Sequence, residues 1–528
     1  MLDSTIALTV ALVVVGALVL AAGWSSSSSS SRPPVYGWRW LPRFVRGVQA
    51  MVRLGQDEDA FLLSLRRYGP VVYIPWPMQQ YIVTDGRAIA SVYSAPSSVL
   101  DFYTIRLEFG DLVFRAPGTS AFYTQHMFPV HAKGMSKAGL AAPLERYVAF
   151  LQQQIEDLAA RVDASEGGEL VLDLQEWVTT TFFRASTTAL FGPHVLNAAG
   201  MSEDELHAHF ETFDAAFPIM ASGMLPPSLL DRIPDVKQAR EAQQAMAGML
   251  AAWITAGLPG VEEGVIQGVV EVCREQGMSP AQIGLLLVAD FWALQANAPF
   301  IALQLLLYLL QAPSSLRTSL VTELDTSLRL SDPSSFPSTL NFPHLAQTLP
   351  LLSSCITETL RLGTSSFSVR AVQKPFAIAQ PDGPDLVLPQ GSRLLCATRA
   401  HHLDEKSWDG TAGTWDGRRF LDEQGGGEEG KKSKRAREVH GFGGGISKCE
   451  GQHFATAELK VLTALFLSTF SAELLPPAPD TAKYDPIRLA GQGAPGFMPK
   501  RNPTRPGLGA FQFVKGCELK VRLTRRQQ

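Results

Sequence analysis

One stretch constrains this chain more than any other: His440-Gly441-Phe442-Gly443-Gly444-Gly445-Ile446-Ser447-Lys448-Cys449-Glu450-Gly451-Gln452-His453-Phe454-Ala455. Cys449 follows a run of glycines, Phe442 stands seven residues before it, and the segment Phe454 to Leu467 after it has the apolar spacing of a helix. Glycines let backbone pass close to a flat group and take angles that a Cβ forbids. A cysteine at a helix start meets unpaired N–H groups and the positive dipole end, which lower its pKa and keep it ionised. The spacing Phe442-x-x-Gly445-x-x-x-Cys449-x-Gly451 suits a sulfur held beneath a planar iron macrocycle. Two other readings use the same residues. One is a buried free cysteine in a glycine-rich turn. The other is a zinc site of Cys449, His453 and His440, for which no further cysteine or histidine stands at closed-site spacing.

At these residues the chain resembles the cytochrome P-450 family, whose haem iron is held by a cysteine thiolate. The resemblance implies a mainly α fold with small β-sheets, a bound haem b with Cys449 as axial iron ligand, and Phe442, Gly445 and Gly451 around it. Three positions depart from the family pattern. Ser447 stands where a basic residue usually faces a haem propionate, Glu450 where an apolar residue follows the ligand, and Gln452 where arginine is frequent. Lys448 is a substitute for the missing charge.

At 528 residues without internal repeat or mid-chain linker, one large domain from residue 43 to 528 is expected. Hydrophobic residues make up 46% and charged residues 18%, enough for a sizeable core, and the mean hydropathy of +0.05 points to membrane contact. A net charge of −4 speaks against nucleic acid as a partner. The five cysteines are scattered without pairing pattern, as in a reducing compartment.

From Thr5 to Trp24 there is no charged residue, and the run is long enough to cross a bilayer as a helix. Residues 1–24 read as a membrane anchor rather than a cleaved signal peptide, which would have a basic start and a shorter apolar region. Arg32, Arg39, Arg43 and Arg46 follow the run, so the bulk of the chain is expected on the cytosolic side. With the resemblance, this implies a single-pass protein of the endoplasmic reticulum. Residues 25–42 read as a stalk and hinge: a serine run, then Arg32-Pro33-Pro34, with Trp38 and Trp40 at the membrane interface or in the core.

Tyr68 to Pro75 and Gln80 to Thr84 read as two strands. Leu144 to Leu158 has helical periodicity, and most segments on to Glu323 share it. The family's Trp-x-x-x-Arg element is absent; His126, His131, Lys133 and Lys137 occupy its region, as charge donors or solvated surface residues. Phe213-Asp214-Ala-Ala-Phe217-Pro218 and the stretch on to Leu230 read as a proline-broken segment between helices, a membrane-dipping access lip or a buried connection.

Ile283 to Gln311 is a long apolar run. The family's central helix crosses the haem face with an acid and a threonine that deliver protons. By resemblance to the sterol hydroxylases of the 7- and 8B-type and to prostacyclin synthase, Ala293, Ala296 and Asn297 occupy that position, with Ala296 for the acid and Asn297 for the threonine. A carboxamide hydrogen-bonds an oxygen ligand but does not relay a proton as a hydroxyl does. Pro299 removes a helix hydrogen bond and bends the segment. The plainer reading is that Gln295 and Asn297 satisfy backbone groups in a buried helix.

Glu358 and Arg361 lie three apart on one helix face. The resemblance makes Glu358, Arg361 and Arg419 a buried structural triad, turns Arg370 toward a propionate, and lines the substrate pocket with Ser366, Phe367 and Val369. The turn Arg488 to Pro495, followed by Phe511 to Leu523, reads as a final β-hairpin with Gln492 at its tip, as a plain solvated turn residue or as a substrate contact. Gly425 to Arg437 reads as a flexible basic loop, and as a docking patch for an acidic reductase.

Together these imply a membrane-bound monooxygenase acting on an apolar, sterol- or terpenoid-like molecule with O2, its electrons supplied by a separate NADPH-cytochrome reductase, since no flavin or dinucleotide motif is present. A reductase-independent peroxide isomerase or dehydratase would suit the missing acid and threonine. A catalytically idle haem-binding protein would suit Ser447, Glu450 and Ala296.

Overall fold

A computed structural model describes residues 31–223, 225–261, 264–328, 341–380, 383–421, 438–477 and 481–526. The expected anchor, most of the serine run and the basic loop Gly425 to Arg437 lie outside the described residues. The chain forms two compact units, one of Met1–Asp101 with Val369–Cys396, the other of Phe102–Ser368 with Ala397–Gln528.

In the first unit, strand Val71–Ile74 runs antiparallel to Gln80–Val83, which runs parallel to Arg393–Ala397. Both expected strands are present, trimmed at their ends. Leu100–Asp101 pairs antiparallel with Val372 and Ala371. Helix Gly86–Ser94 starts at Asp85, whose carboxylate accepts from the N–H groups of Arg87 and Ala88. It lays Ile89 and Val92 on a core with Val71, Val83 and Leu394. Helix Arg43–Gln56 depends on Gly47, since a Cβ there would lie 1.8 Å from the Trp76 carbonyl oxygen.

The second unit is mainly helical. The helix expected from Leu144 is Ala141–Ala164, followed by Leu174–Phe191, Glu203–Ala221, Pro234–Thr255, Pro350–Gly363 and Gln452–Thr469 among others. Capping boxes begin two of them, Ser202 with Glu205 and Ser279 with Gln282. The long apolar run lies in the middle of this unit as two consecutive helices, Pro280–Gln295 and Ala298–Gln311. The run is long and apolar enough to span a membrane, but it is mostly buried here and serves as core. Each of its fully buried leucines contributes on the order of 1.5–3 kcal/mol by leaving water.

Two expectations change. Phe213 to Pro218 is not a break between helices: it lies inside Glu203–Ala221, with Phe213, Asp214 and Phe217 buried. Phe217 stacks on Trp292 at 3.9 Å, which holds the segment in helical register despite Pro218. The expected final hairpin is not one hairpin either. Tyr484–Leu489 pairs with Gly496–Pro499, whereas Lys520–Arg525 pairs with Phe470–Leu474 and Glu169–Asp173. Between them Leu508–Ala510 pairs antiparallel with Thr364, Ser365 and Ser366.

Candidate active site

The cysteine loop is built by its own backbone. Gly443 N–H donates to the His440 carbonyl at 2.9 Å, and Cys449 N–H to the Phe442 carbonyl at 2.9 Å. The turn needs left-handed angles at Gly443 (φ +71°) and Gly445 (φ +56°), which a side chain would strain. Cys449 is the exposed one of the five cysteines; Cys273, Cys355 and Cys396 are buried and Cys517 is half-buried. Helix Gln452–Thr469 starts three residues on, and the N–H groups of Gly451 and Gln452 point at the sulfur. Burial of the Cys449 thiol among protein atoms outweighs those donors, so its pKa is raised, not lowered as the helix start alone implies. Iron ligation at Cys449 would supply the missing driving force, because a bound metal deprotonates a coordinating thiol. A cysteine exposed as a residue, its thiol packed by protein atoms and met by two backbone donors on a loop whose glycines bring backbone close, fits a haem. Among the described residues no group of three or more His, Cys, Asp or Glu is placed to hold a metal ion.

Glu450 has a partner that the sequence did not disclose. Arg106 grips it with two hydrogen bonds of 3.0 and 3.2 Å and lies over the Phe128 ring at 4.1 Å. Ser447 Oγ donates to the Gly444 carbonyl and lies 2.9 Å from Ser368 Oγ, while Lys448 is exposed.

The two central helices part at Ala296 and Asn297, where Asn297 takes φ −129° and ψ −49°. Pro299 sits in the first turn of the second helix, where its missing N–H costs nothing. Ala293 is exposed between the buried Phe291 and Gln295, and Ala296 is buried. Asn297 Oδ1 accepts from Ala510 N–H at 2.9 Å, so this carboxamide oxygen is tied to the C-terminal strand. The strand comes that close because residue 509 is glycine, at φ +99°; a Cβ there would sit 2.2 Å from Asn297 Oδ1. Gln295 donates to Thr187 Oγ1 and the Phe183 carbonyl. Trp292 Nε1 donates to Asp214 Oδ1 at 2.8 Å, and Arg505 and Gln512 close on the same carboxylate.

Phe367 N–H donates to the Gly507 carbonyl, and the Phe367 ring fills the space where a Cβ of Gly507 would lie. Ser366 sits opposite Leu508. The segment 505–511 was not singled out in the sequence, yet it brings Asn297, Phe367 and Ser366 together. Gln492 is elsewhere: its amide donates to the Gln311 carbonyl, at the far end of helix Ala298–Gln311 from Asn297, about 20 Å along the axis. Val369 and Arg370 belong to the first unit, where Arg370 is buried, donates to the Val369 carbonyl and faces the Tyr93 ring.

Glu358, Arg361 and Arg419 meet. Arg361 forms two bonds to Glu358 of 2.7 and 2.8 Å, and Arg419 Nε a third of 2.9 Å, with Glu358 and Arg361 fully buried. Lys133 and Lys137 are exposed; His131 turns inward to Asp290.

The family model described as Cytochrome P-450 matches residues 301–494. The 7-alpha-hydroxycholest-4-en-3-one 12-alpha-hydroxylase of Oryctolagus cuniculus is 28% identical over 58% of this chain and 60% of its own length. The 5-beta-cholestane-3-alpha,7-alpha-diol 12-alpha-hydroxylase of Sus scrofa is 27% identical over 60% of this chain and 64% of its own. The prostacyclin synthase of Bos taurus is 26% identical over 82% of this chain and 87% of its own. The chain thus spans less than two thirds of the two hydroxylases it matches. Residues 301–494 thus match the cytochrome P-450 family, and the chain as a whole is similar to sterol hydroxylases and prostacyclin synthase.

Proposed function

We propose that this protein is a membrane-bound haem-thiolate monooxygenase that oxidises an apolar, sterol-like molecule with O2 and electrons from an NADPH-cytochrome reductase. The observation that carries the reading is Cys449 exposed on its glycine loop. Bound haem supplies oxygen activation, which a thiolate ligand favours. Cys449 would hold the iron, with Phe442, Gly445 and Gly451 shaping the loop. Phe367 and Ser366 line the substrate side, and helix Glu203–Ala221 is fixed on the central helix by the stacked pair Phe217 and Trp292 and by the Asp214–Trp292 bond. The sterol-like substrate class is supported by the hydroxylases among the relatives.

Location in the endoplasmic reticulum membrane is supported by the uncharged run from Thr5 to Trp24 and by the residues after it. Trp38 and Trp40 lie ring to ring at 5.7 Å, and Phe44, Val48 and Val52, four apart on helix Arg43–Gln56, are 44–56% exposed.

The test is the carbon monoxide difference spectrum of the dithionite-reduced protein. The red-shifted thiolate band is expected for the wild type and its loss for Cys449→Ser; a wild type without the band sinks the proposal. A second reading, peroxide isomerisation without a reductase, is favoured by the prostacyclin synthase match over 87% of that enzyme's length and by Asn297 being bound to backbone. Product from a lipid hydroperoxide or endoperoxide without NADPH, and none from sterols with it, would replace the first reading by the second.

A further inference from the structure

Asp290 is the one charged residue between Pro280 and Gln311. A lone charge in a mostly apolar stretch of 32 residues at the centre of a domain needs a reason, since burying a carboxylate is costly unless it is paired. Its partner is His131, on helix Phe128–Gly134, with Nε2 2.8 Å from Asp290 Oδ1. The other ring nitrogen, Nδ1, lies 2.9 Å from the Met127 carbonyl oxygen. A carbonyl oxygen only accepts, so Nδ1 carries a hydrogen. A neutral ring would then present a bare Nε2 lone pair to a carboxylate oxygen, two acceptors 2.8 Å apart. The geometry therefore requires one more proton in the pair than a neutral imidazole and a carboxylate contain.

The surroundings place that proton on the ring. Burial works against a charged His131, but Asp290, through charge and hydrogen bond, and Glu450 outweigh it, while Arg106 opposes; the net direction is upward. Tyr123, whose own ionisation is suppressed by burial, and Cys273 are the other titratable groups that interact with Asp290, and neither supplies a positive charge. Asp290 Oδ2 is buried and makes no hydrogen bond. It has acceptor capacity to spare, one turn before Ala293 on the same helix face. Ala293 is the exposed member of that face.

From this geometry we infer that His131 and Asp290 form the proton store of the reaction site, standing in for the acid and hydroxyl that the central helix lacks. The inference rests on the monooxygenase reading, and the transfer is of a proton only: it leaves His131 Nε2, passes by Asp290 to water on the central helix, and is replaced from solvent. Both residues act through that water and are positioning residues, not groups that touch substrate.

The test uses the full-length haem-loaded protein with its reductase. In wild type carrying carbon-13-labelled histidine, the His131 ring signal, assigned by its loss in His131→Gln, is expected to be that of an imidazolium at pH 7; a neutral ring overturns the inference. Asp290→Asn is expected to keep the thiolate band, to lower product formed per NADPH oxidised about 10- to 100-fold, and to enlarge the solvent deuterium isotope effect on product formation. Unchanged coupling and isotope effect in Asp290→Asn, with the band intact, would overturn it as well. A wild type with the band but no reductase-driven product would sink the monooxygenase reading and with it the use of the store, while the ring signal would still report whether the pair holds its proton.

Discussion

Glu458 shows what a single buried carboxyl does to a domain of this kind. It sits on the inner face of helix Gln452–Thr469, fully buried, with Ser186 Oγ donating to its Oε1. Burial pushes its pKa up to about 8, against which the serine bond pulls only partly. The unfolded chain ionises near the ordinary glutamate value, so between about pH 4.3 and 8 the folded state binds more protons than the unfolded one. Stability then falls as pH rises through that window, by up to about 1.4 kcal/mol per pH unit, and levels off above it. Glu458→Gln removes the titrating proton and keeps the shape. Urea midpoints of the variant are expected to gain steadily on the wild type from pH 5 to 8 and to run parallel above 8. A constant gap from pH 5 upward would mean that Glu458 is ionised in the fold.

At the scale of elements, the break in the central helix is held from outside. Ala510 is buried, and its N–H finds its acceptor in Asn297 Oδ1 across 213 residues of chain. Asn297→Ala leaves that donor unpaired and is expected to cost about 1–3 kcal/mol, read as a lower urea midpoint, whereas Asn297→Asp keeps an acceptor and loses less. Equal losses for the two would show that the bond does not matter. The same contrast explains what was legible beforehand. The glycines before Cys449 and the spacing of Glu358 and Arg361 announce themselves because the residues that matter are neighbours in sequence. The strands near Val71 and Gln80 and the helix from Ala141 follow from local periodicity in the same way. Gln492 reads as a candidate substrate contact at a hairpin tip because a turn is visible but its destination is not; the segment at Gly507 and Gly509, which does reach Asn297, carries only two glycines as a signal. Glu450 looked like a misfit because its partner, Arg106, is 344 positions away. The signal for His131 was the lone acid at Asp290, a charge in an apolar run whose cost implies a partner without naming it.

Across the second unit as a whole, Arg361 is the point where distant segments are tied to the cysteine loop. All five of its N–H groups are used: Nε and one Nη2 proton on Glu358, the two Nη1 protons on the carbonyls of His402 and Ala412, and the other Nη2 proton on the carbonyl of Thr414. Its guanidinium also faces the Trp408 ring at 4.7 Å. His402 in turn accepts, through Nε2, the backbone N–H of His440, the first residue of the Cys449 loop. Burial holds both imidazoles below their ordinary pKa, His440 at about 4, so His402 keeps its acceptor lone pair at neutral pH. Lysine restores the charge opposite Glu358 but brings three donors on a flexible stem instead of five in a planar fork. If charge pairing were the main contribution, Arg361→Lys would stay close to wild type. Because three buried carbonyls depend on the fork, Arg361→Lys is expected to fall about as far as Arg361→Met, by 3 kcal/mol or more on the order of magnitude for a broken buried ion pair. Both variants are expected to lose the thiolate band along with stability, since the carbonyl and ring of His402 are the link to His440. A lysine variant that keeps the band and most of its stability would show that the charge on Glu358, and not the fork, holds the loop in place.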